Sequence, residues 1–359
     1  MSLTLTVEGD RWRAHLRAVA AAQPGLVPVA KGNGYGFGLG RLARKAAWLG
    51  VDTLAVGTYD ELPEVASRYG GDLLVLTPWR PFGAALEVPA DVRKRLVHTV
   101  SRAEDLGALR AHDPDARFVL EVVTSMLRHG LDPAGLRAAA EQLGPLGLFR
   151  GSRHLTGIAL HLPLASGSHL SEVRRLVDEV VAAGLVREGR RTTLWVSHLT
   201  DDELARLRST HADFDIRPRV GTNLWLGVRD ALHVTATVLD VHAVERGDHF
   251  GYRGRSAPKS GHIVVVTGGT AHGIGLEAPT GDSSLKARAA TLARGGLDAA
   301  GFVRSPFTID GKQRLFAEPP HMQASMLFLP SGAHVPAVGD QVDVRVRYTA
   351  TAFDRVVVT

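Results

Sequence analysis

Short apolar runs alternate with helix-like stretches along the first part of the chain. The runs are rich in Val, Leu and Ile, which is typical of strands buried on both faces of a parallel sheet. Turn residues separate each run from the helix-like stretch after it. Eight such strands are predicted, at 26–30, 53–56, 73–76, 96–100, 118–122, 156–160, 193–196 and 214–216.

Amphipathic segments lie between most of these runs and predict helices. The helices are expected at about 39–49, 59–69, 101–111, 133–143, 168–183 and 200–209, and the weakest helical pattern follows Pro78. Eight strand and helix units in about 220 residues match a parallel (β/α)8 barrel of the TIM type better than an open sheet. The predicted fold class is therefore α/β, with a barrel at residues 10–228.

The pattern changes after about Gly227, where polar and apolar residues alternate in strand-like runs. The clearest runs are HVTATVLDVHAV, HIVVVTGG and DQVDVRVRY, and the N-terminal SLTLTV alternates in the same way. We therefore predict a C-terminal, mostly β domain made of residues 1–9 and 229–359. Its N-terminal strand is expected to pair with the C-terminal part, and an insertion is expected near 282–297.

Composition excludes several kinds of chemistry. The chain has no cysteine, which rules out disulfides, thiolate catalysis and cysteine-bound zinc. Its formal charge of +5 is modest and the basic residues are scattered, so a nucleic-acid partner is not expected. Neither a signal pattern nor an apolar run of about 18 residues occurs. We predict a cytoplasmic protein with no membrane partner and no metal.

Polar residues collect where the predicted barrel strands end. The active site of such a barrel is built from the C-terminal ends of its strands, so residues at these positions carry extra weight. Taken singly, each could be a solvated strand end or a satisfied buried group. Taken together they predict one site, whose members are Lys31, Glu121, His161, Ser197 and Arg219, followed by Gly221 and Thr222.

Lys31 is the candidate nucleophile of this site. The chain has only six lysines among its 42 basic residues, and a lysine amine can lose its proton whereas arginine stays charged. Codon usage is the alternative explanation for this bias. The loop GNGYGFGLG after Lys31 matches neither the dinucleotide nor the P-loop motif. Its glycines and the Tyr35 phenol can still face a ligand, and small donors after the last strands predict a phosphate-bearing ligand near the amine.

These segments resemble the motifs of alanine racemases, which are barrel-type pyridoxal-phosphate enzymes with a C-terminal β domain. The most specific match is AKGNGYGFG, which is similar to AKANAYGHG in that family. Five further segments occur in the family's order and extend the resemblance over nearly the whole chain. They are VVTSMLRHGL, IALHLPLA, IRPRVGTNLWLG, GGTAHG and HMQ.

The resemblance implies a role for each matching residue. Lys31 would carry pyridoxal 5'-phosphate as a Schiff base and exchange the substrate α-proton on one face. Arg128 would face the phenolic oxygen of the cofactor, Arg219 its pyridine nitrogen, and His161 would orient Arg219. Met322 would lie on the substrate side. The cofactor phosphate would be bound by Tyr35, Ser197, Gly221 and Thr222.

Three positions depart from the family pattern. Thr270 stands where the family has the tyrosine that acts as base on the opposite face, and a threonine hydroxyl lacks usable acidity near neutral pH. His272 is the candidate replacement, with a purely structural histidine as the alternative. Glu121 stands where many members have a carboxylated lysine and would supply a fixed anion beside Arg128. Gln323 replaces an aspartate.

The leading functional hypothesis is a pyridoxal-phosphate isomerase acting at the α-carbon of a small amino acid, nominally L-alanine to D-alanine in D-alanine biosynthesis. Decarboxylation, elimination or transamination on the same scaffold is the alternative, because loss of one base would impair racemisation. A cofactor-binding protein without turnover, and a barrel that uses Lys31 without cofactor, are further alternatives. The resemblance also implies a homodimer with shared active sites.

Overall fold

The computed structural model describes residues 2–149, 154–164, 167–186, 191–276 and 303–359, with the backbone alone at 145–149. The chain divides into two compact units, one of residues Arg13–Gly227 and one of Met1–Trp12 with Val228–Thr359. We call them the barrel unit and the β unit. The predicted insertion at 282–297 lies outside the described residues.

The barrel unit is a closed ring of eight parallel strands. The chain starts with β1 (Thr4–Val7), which belongs to the β unit, and then forms the ring. The ring strands are β2 (Val27–Ala30), β3 (Thr53–Val56), β4 (Asp72–Val75), β5 (Leu96–Val100), β6 (Arg117–Val122), β7 (Leu155–His161), β8 (Thr192–Ser197) and β9 (Phe214–Val220). All eight predicted strands are present, and the predicted barrel is confirmed.

Helices connect the strands and cover the ring. They are α1 (Gly9–Ala22), α2 (Leu39–Leu49), α3 (Leu62–Ala66), α4 (Ala90–Arg93), α5 (Ala103–His112), α6 (Pro133–Phe149), α7 (Leu170–Ala182), α8 (Asp201–Thr210) and α9 (Thr222–Leu226). The weak helical pattern after Pro78 has a structural counterpart, since this connection contains only a 3-10 turn at Gly83–Ala85 and the short α4.

The interior of the ring is filled by apolar side chains from alternate positions of the strands. This burial is the main stabilising contribution, at about 1.5–3 kcal/mol for each large aliphatic side chain. It also makes the ring a packed scaffold rather than a pore, so that chemistry is confined to the loops at the strand ends. The cluster contains Val27, Val29, Ala55, Leu74, Val97, Val119, Ala159 and Trp195.

The β unit is an eight-stranded sheet with a separate two-stranded ribbon. The ribbon is β11 (His249–Phe250) and β12 (Arg255–Ser256). Besides β1, the sheet contains β10 (Leu232–Val244), β13 (Gly261–Thr267), β14 (Arg304–Ile309), β15 (Lys312–Phe316), β16 (Ala324–Pro330), β17 (Gln341–Val344) and β18 (Arg355–Val358). The predicted strand-rich C-terminal domain is confirmed.

The long strand β10 organises this sheet. Successive segments of it pair with β1, β17 and β13. Because β10 pairs with both β17 and β13, six strands form a closed series of antiparallel pairings, in the order β10, β13, β16, β15, β14 and β17. The N-terminal strand β1 pairs with β10 and also, in parallel, with β18. Both termini of the chain are thereby held in one sheet. Among the described residues, no helix has the length and apolar character needed to cross a membrane.

Candidate active site

Lys31 directly follows β2 and lies at the C-terminal end of the barrel strands. Its side chain is solvent-accessible in the isolated chain. Partial desolvation lowers the pKa of its amine, and the positive charges of Arg128 and Arg219 act in the same direction. The negative charge of Glu61 opposes this shift. The amine therefore loses its proton more readily than an ordinary lysine, which favours reaction with a carbonyl.

Two opposite charges, Arg219 and Glu121, are buried near the C-terminal ends of β9 and β6. Arg219 lies within β9, which runs to Val220 and so extends beyond the predicted end at Ile216. Its guanidinium donates to the Leu160 carbonyl at 2.9 Å, but its Nε has no partner among the described residues. Glu121 is 3% exposed, and its Oε2 also lacks a partner there.

Burial moves the pKa values of this pair in opposite directions, and both shifts disfavour the charged form. It lowers the pKa of Arg219, which Glu121 opposes, and it raises the pKa of Glu121, which Arg219 and Arg128 oppose. A buried donor or acceptor without a partner costs about 1–3 kcal/mol. The two unsatisfied atoms are therefore suited to a polar ligand that would complete their hydrogen bonds.

The glycine-rich loop after Lys31 needs its glycines because it repeatedly enters the left-handed region. Tyr35 also has a positive φ of 55° although it carries a side chain. Its ring is buried, and burial with nearby Glu61 raises the pKa of the phenol to about 12. A Cβ on Gly221 would lie 2.1 Å from the Tyr35 hydroxyl oxygen. The raised pKa keeps the phenol protonated. The phenol can lie this close to the start of α9 only because residue 221 is glycine.

His161 and Ser197 are joined by a hydrogen bond at the ends of β7 and β8. The distance between His161 Nδ1 and Ser197 Oγ is 2.9 Å. Burial, together with Arg219 and other cations, lowers the pKa of His161 to about 3, so the ring is neutral. The predicted orientation of Arg219 by a hydrogen bond from His161 is not seen among the described residues. His161 contacts Ser197 instead, and Arg219 is held by the Leu160 carbonyl.

Glu61 belongs to this cluster although sequence analysis did not select it. Its carboxylate accepts hydrogen bonds from the backbone amides of Gly32 at 2.7 Å and Gly57 at 2.6 Å. The available signal was the spacing Thr58-x-x-Glu61, which forms a capping box at the end of β3. Glu61 thereby links the backbone just after Lys31 to the backbone just after β3, and it contributes a negative charge.

His198 is a second residue that sequence analysis missed. Its φ is +62°, and its ring centroid lies 5.1 Å from that of His161. Nδ1 donates to the Leu162 carbonyl at 2.6 Å. Burial lowers the pKa of His198 although this hydrogen bond opposes the shift. No motif marked it in the sequence beyond its place next to Ser197.

Four of the predicted residues belong to the β unit instead. Thr270, Met322 and Gln323 line an open depression of about 560 Å³. The segments that carry them are held together by backbone hydrogen bonds, from Thr270 to the His321 carbonyl at 2.8 Å and from Ala271 to the Met322 carbonyl at 3.1 Å. The other lining residues are Tyr252, Arg253, Glu318, Pro319, Pro320 and His321.

His272 does not line this depression. Its side chain is 6% exposed, its Nδ1 accepts from the Gly269 amide at 3.2 Å, and its Nε2 lies 3.1 Å from Asp354 Oδ1. Both ring nitrogens are thus engaged within the sheet. The geometry supports the structural alternative for His272 and leaves it no free nitrogen for proton exchange.

The barrel unit thus combines an accessible amine with an excess of positive charge. Lys31, Arg128 and Arg219 are offset by two carboxylates, those of Glu61 and Glu121. Such a cluster is suited to a small anionic ligand that carries a reactive carbonyl. Within the described ranges, no group of three or more His, Asp or Glu side chains is arranged to hold a metal ion.

Comparisons with known proteins bear on the family and the fold. Residues 8–222 match the family described as alanine racemase, N-terminal domain. An alanine racemase of Nitratidesulfovibrio vulgaris is 26% identical over 278 residues, which is 72% of each chain. One of Thermobifida fusca is 27% identical over 256 residues, which is 66% of each chain.

Solved structures share the fold over the full length. Alanine racemase from Bartonella henselae with covalently bound pyridoxal phosphate superposes with a TM-score of 0.71 at 16% identity, covering 100% of both chains. The enzyme from Streptomyces lavendulae, a producer of D-cycloserine, gives 0.69 at 22% identity, covering 100% of this chain and 97% of the other. At these identities the likeness concerns the fold alone.

Proposed function

The chain belongs to the alanine racemase family, and from that premise we propose that it is a pyridoxal 5'-phosphate-dependent enzyme acting at the α-carbon of a small amino acid. The nominal reaction is the interconversion of L-alanine and D-alanine. The observation that carries this proposal is the Lys31 amine, whose pKa is lowered, beside the incompletely bonded Arg219 and Glu121.

The residues at the end of the barrel fit this cofactor. The buried Nε–H of Arg219 can donate a hydrogen bond to an aromatic ring nitrogen. The narrow space between Tyr35 and Gly221, which a Cβ would fill, leaves backbone amides and a phenol free to meet a phosphate. Lys31 lies among these groups and would hold the cofactor aldehyde through its amine.

Lys31 has two duties in this proposal. Its amine would first bind the cofactor and then, once released by a substrate amine, accept or return the substrate α-proton on one face. The bound cofactor supplies a conjugated ring that takes up negative charge from the α-carbon. Desolvation and two guanidiniums disfavour the charged form of Lys31, which favours both duties.

Arg219 limits how far that negative charge is withdrawn. A guanidinium keeps its protons, so Arg219 would donate a hydrogen bond to the ring nitrogen without protonating it. Glu121 is buried close enough to stabilise the Arg219 charge. Arg128 would face the phenolic oxygen of the ring. This arrangement favours proton exchange at the α-carbon over reactions that need deeper electron withdrawal.

The cofactor phosphate would be held at the other end of the cluster by Tyr35, Ser197, Gly221 and Thr222. The Tyr35 phenol is protonated and can donate. Ser197 can donate to a phosphate only if His161 provides the proton of their shared hydrogen bond, because a hydroxyl has a single proton. We therefore assign neutral His161 the tautomer with the proton on Nδ1. In this role His161 orients Ser197 rather than Arg219.

We further propose a homodimer in which the β unit of one subunit completes the active site of the other, with Met322 on the substrate side. Met322 is 69% exposed in the isolated chain. Its exposed position in the open depression would allow a partner subunit to cover it.

The alternative is a different reaction on the same cofactor, such as decarboxylation, elimination or transamination, or cofactor binding without turnover. Thr270 favours this alternative, because it stands where the family has its second base. A single base on the Lys31 face would permit exchange of the α-proton with solvent but not inversion.

The cofactor proposal is tested on the purified protein. We expect an absorbance band at about 420 nm that disappears with borohydride and is absent from Lys31→Ala. Lys45→Ala, in which another lysine is removed from α2, is the matched control and should keep the band. A protein that stays colourless with added pyridoxal phosphate would refute the proposal.

The reaction is tested with each alanine enantiomer in heavy water. Inversion of both enantiomers, with deuterium incorporated at the α-carbon, is expected for a racemase. Deuterium exchange of one enantiomer without inversion would instead support a single working base at Lys31 and reject racemase activity.

A further inference from the structure

The depression on the β unit contains a histidine paired with a buried carboxylate. The distance between His321 Nε2 and Glu318 Oε1 is 2.6 Å, and the Glu318 side chain is 2% exposed whereas that of His321 is 30% exposed. A carboxylate that accepts from one ring nitrogen fixes the tautomer and orientation of an imidazole. His321 thus presents Nδ1 as the nitrogen available for exchange.

The position of Glu318 is itself fixed by the loop around it. Its Oε2 accepts a hydrogen bond from the Tyr252 amide at 3.0 Å. A Cβ on Gly251 would lie 2.2 Å from the same oxygen, so residue 251 must be glycine for the carboxylate to occupy this place. Buried carboxylates without partners are costly, and here each oxygen of Glu318 has one. The pair is a supported arrangement rather than a chance surface contact.

His321 is also adjacent to the position that lacks the expected base. The Thr270 amide donates to the His321 carbonyl at 2.8 Å, and both residues line the same depression. Nδ1 of His321 has no hydrogen-bond partner among the residues that the structure describes. An imidazole can exchange a proton near neutral pH, whereas the threonine hydroxyl beside it cannot.

We propose that His321 is the second proton-transfer group of the enzyme, with Glu318 as its positioning residue. The inference rests on the proposed function, because it requires the depression of one subunit to face the α-carbon held at Lys31 of the other. It assigns to His321 the task that Thr270 cannot perform.

The proton balance of the proposed step is simple. Lys31 Nζ takes the α-proton from one face, and the electron pair of the broken C–H bond remains with the substrate as delocalised charge. The Nδ1–H of protonated His321 then gives its proton to the opposite face, and that electron pair forms the new C–H bond. Lys31 ends protonated and His321 ends neutral, with its Nε2–H still bonded to Glu318. The reverse reaction exchanges the two roles.

Tyr252 is the competing candidate in the same depression. Its ring centroid is 4.7 Å from that of His321, and the side chain is 88% exposed. The Glu318 carboxylate orients the His321 ring, whereas no described contact fixes the Tyr252 hydroxyl. The geometry therefore points to the imidazole.

The test compares His321→Asn with the wild type in heavy water. We expect the variant to keep its cofactor absorbance and its deuterium exchange of one alanine enantiomer while inversion falls by about 100-fold or more. Added imidazole should restore part of the inversion in His321→Ala. His242→Asn is the matched control, because His242 lies 3.4 Å from a carboxylate, that of Asp240, on the same unit but is exposed.

A second readout needs no turnover. With histidine labelled at Cε1, the His321 signal, assigned by its loss in His321→Asn, should shift when holoenzyme binds 2-aminoisobutyrate, which has no α-proton to exchange. In Glu318→Gln, nitrogen chemical shifts should show His321 in both tautomers rather than mainly the Nε2–H form. An unshifted signal with bound analogue would overturn the proposal.

The outcomes separate the two proposals. Absence of cofactor binding and of exchange in the wild type would overturn the proposed function itself. Cofactor binding with inversion that does not depend on His321 would overturn only the role of His321. Exchange without inversion in the wild type would overturn both that role and the racemase reaction, while leaving cofactor binding intact. Loss of inversion in Tyr252→Phe but not in His321→Asn would assign the step to the phenol instead.

Discussion

The reactivity of Lys31 depends on charges that come from distant parts of the sequence. Arg128 and Arg219 lower the pKa of its amine, and Glu61 opposes them. These residues follow or end three different barrel strands, and only the closed ring brings them to one lysine. At the scale of single residues, the site is therefore an electrostatic arrangement that can be tested by removing one charge at a time.

Removing Arg128 and removing Glu61 should change Lys31 in opposite directions. In Arg128→Gln the pKa of the Lys31 amine should rise, because a nearby cation that disfavours its charged form is lost. In Glu61→Gln it should fall, because an anion that favours the charged form is lost. The measurement is the pH dependence of the rate at which cofactor-free protein captures pyridoxal phosphate. Its midpoint should move to higher pH in the first variant and to lower pH in the second.

Arg44→Gln serves as control for this pair, because it removes a charge from the exposed side of α2 and does not contribute to the Lys31 shift. An equal shift in Arg44→Gln and Arg128→Gln would mean that net charge, and not the local arrangement, sets the reactivity of the amine.

At the scale of elements, one carboxylate holds the beginnings of two helices. Glu203 completes the capping box of α8 with Thr200, and its Oε1 also accepts from Ser168 and from the His169 amide at 2.8 Å, just before α7. Burial raises the pKa of Glu203, but these hydrogen bonds outweigh it and lower the pKa overall. The start of α7 follows β7 and that of α8 follows β8, so this carboxylate supports the end of the barrel that carries His161 and Ser197.

Glu203→Gln should destabilise the protein by about 1–2 kcal/mol at neutral pH, because charge-assisted hydrogen bonds are weakened. A carboxylate whose pKa is lowered on folding stabilises the protein above its unfolded pKa of about 4.3, and that contribution is lost as the pH falls. The difference from wild type should therefore shrink in acid. Urea unfolding followed by tryptophan fluorescence at several pH values measures it.

Asp178→Asn, on the exposed middle of α7, is the matched control and should change stability by less than about 0.5 kcal/mol. A Glu203→Gln difference that stays constant down to acid pH would contradict the hydrogen-bonding explanation.

At the scale of the whole molecule, the candidate groups fall into two compact units. Lys31 and the cofactor residues belong to the barrel unit, whereas Thr270, His321 and Met322 belong to the β unit. If a homodimer shares its sites between subunits, each site takes the first set from one chain and the second set from its partner.

Mixed dimers test this sharing. Lys31→Ala and His321→Asn are each expected to invert alanine poorly. In a dimer with one chain of each kind, shared sites would leave one site with both changes and one site intact. Random reassociation should restore about one quarter of the wild-type sites, since about half of the dimers are mixed. Inversion that stays at the level of the separate variants would contradict shared sites.

Much of the fold could be predicted because its signals are local. Each barrel strand is a short apolar run, and 53–56 and 96–100 were predicted with the bounds that the structure has. Lys31 and the glycines after it were also identified from neighbouring residues. The end of β9 was missed, because Arg217 and Arg219 are polar residues within a strand and interrupt the apolar pattern.

The sequence by itself determined the order of strands and helices, the change from barrel to sheet and the approximate position of each barrel strand, because periodicity and turn residues act over short distances. Only the tertiary structure decided which polar groups meet. It placed Glu61 beside Lys31, gave His161 to Ser197, enclosed His272 between Gly269 and Asp354, and supported His321 on a buried Glu318. Glu318 and His321 are only three residues apart, but the burial of Glu318 comes from the fold around the pair. The contacts of Glu61 with Gly32, His161 with Ser197 and His272 with Asp354 join residues far apart in the chain, so they exist only once the strands have closed and paired.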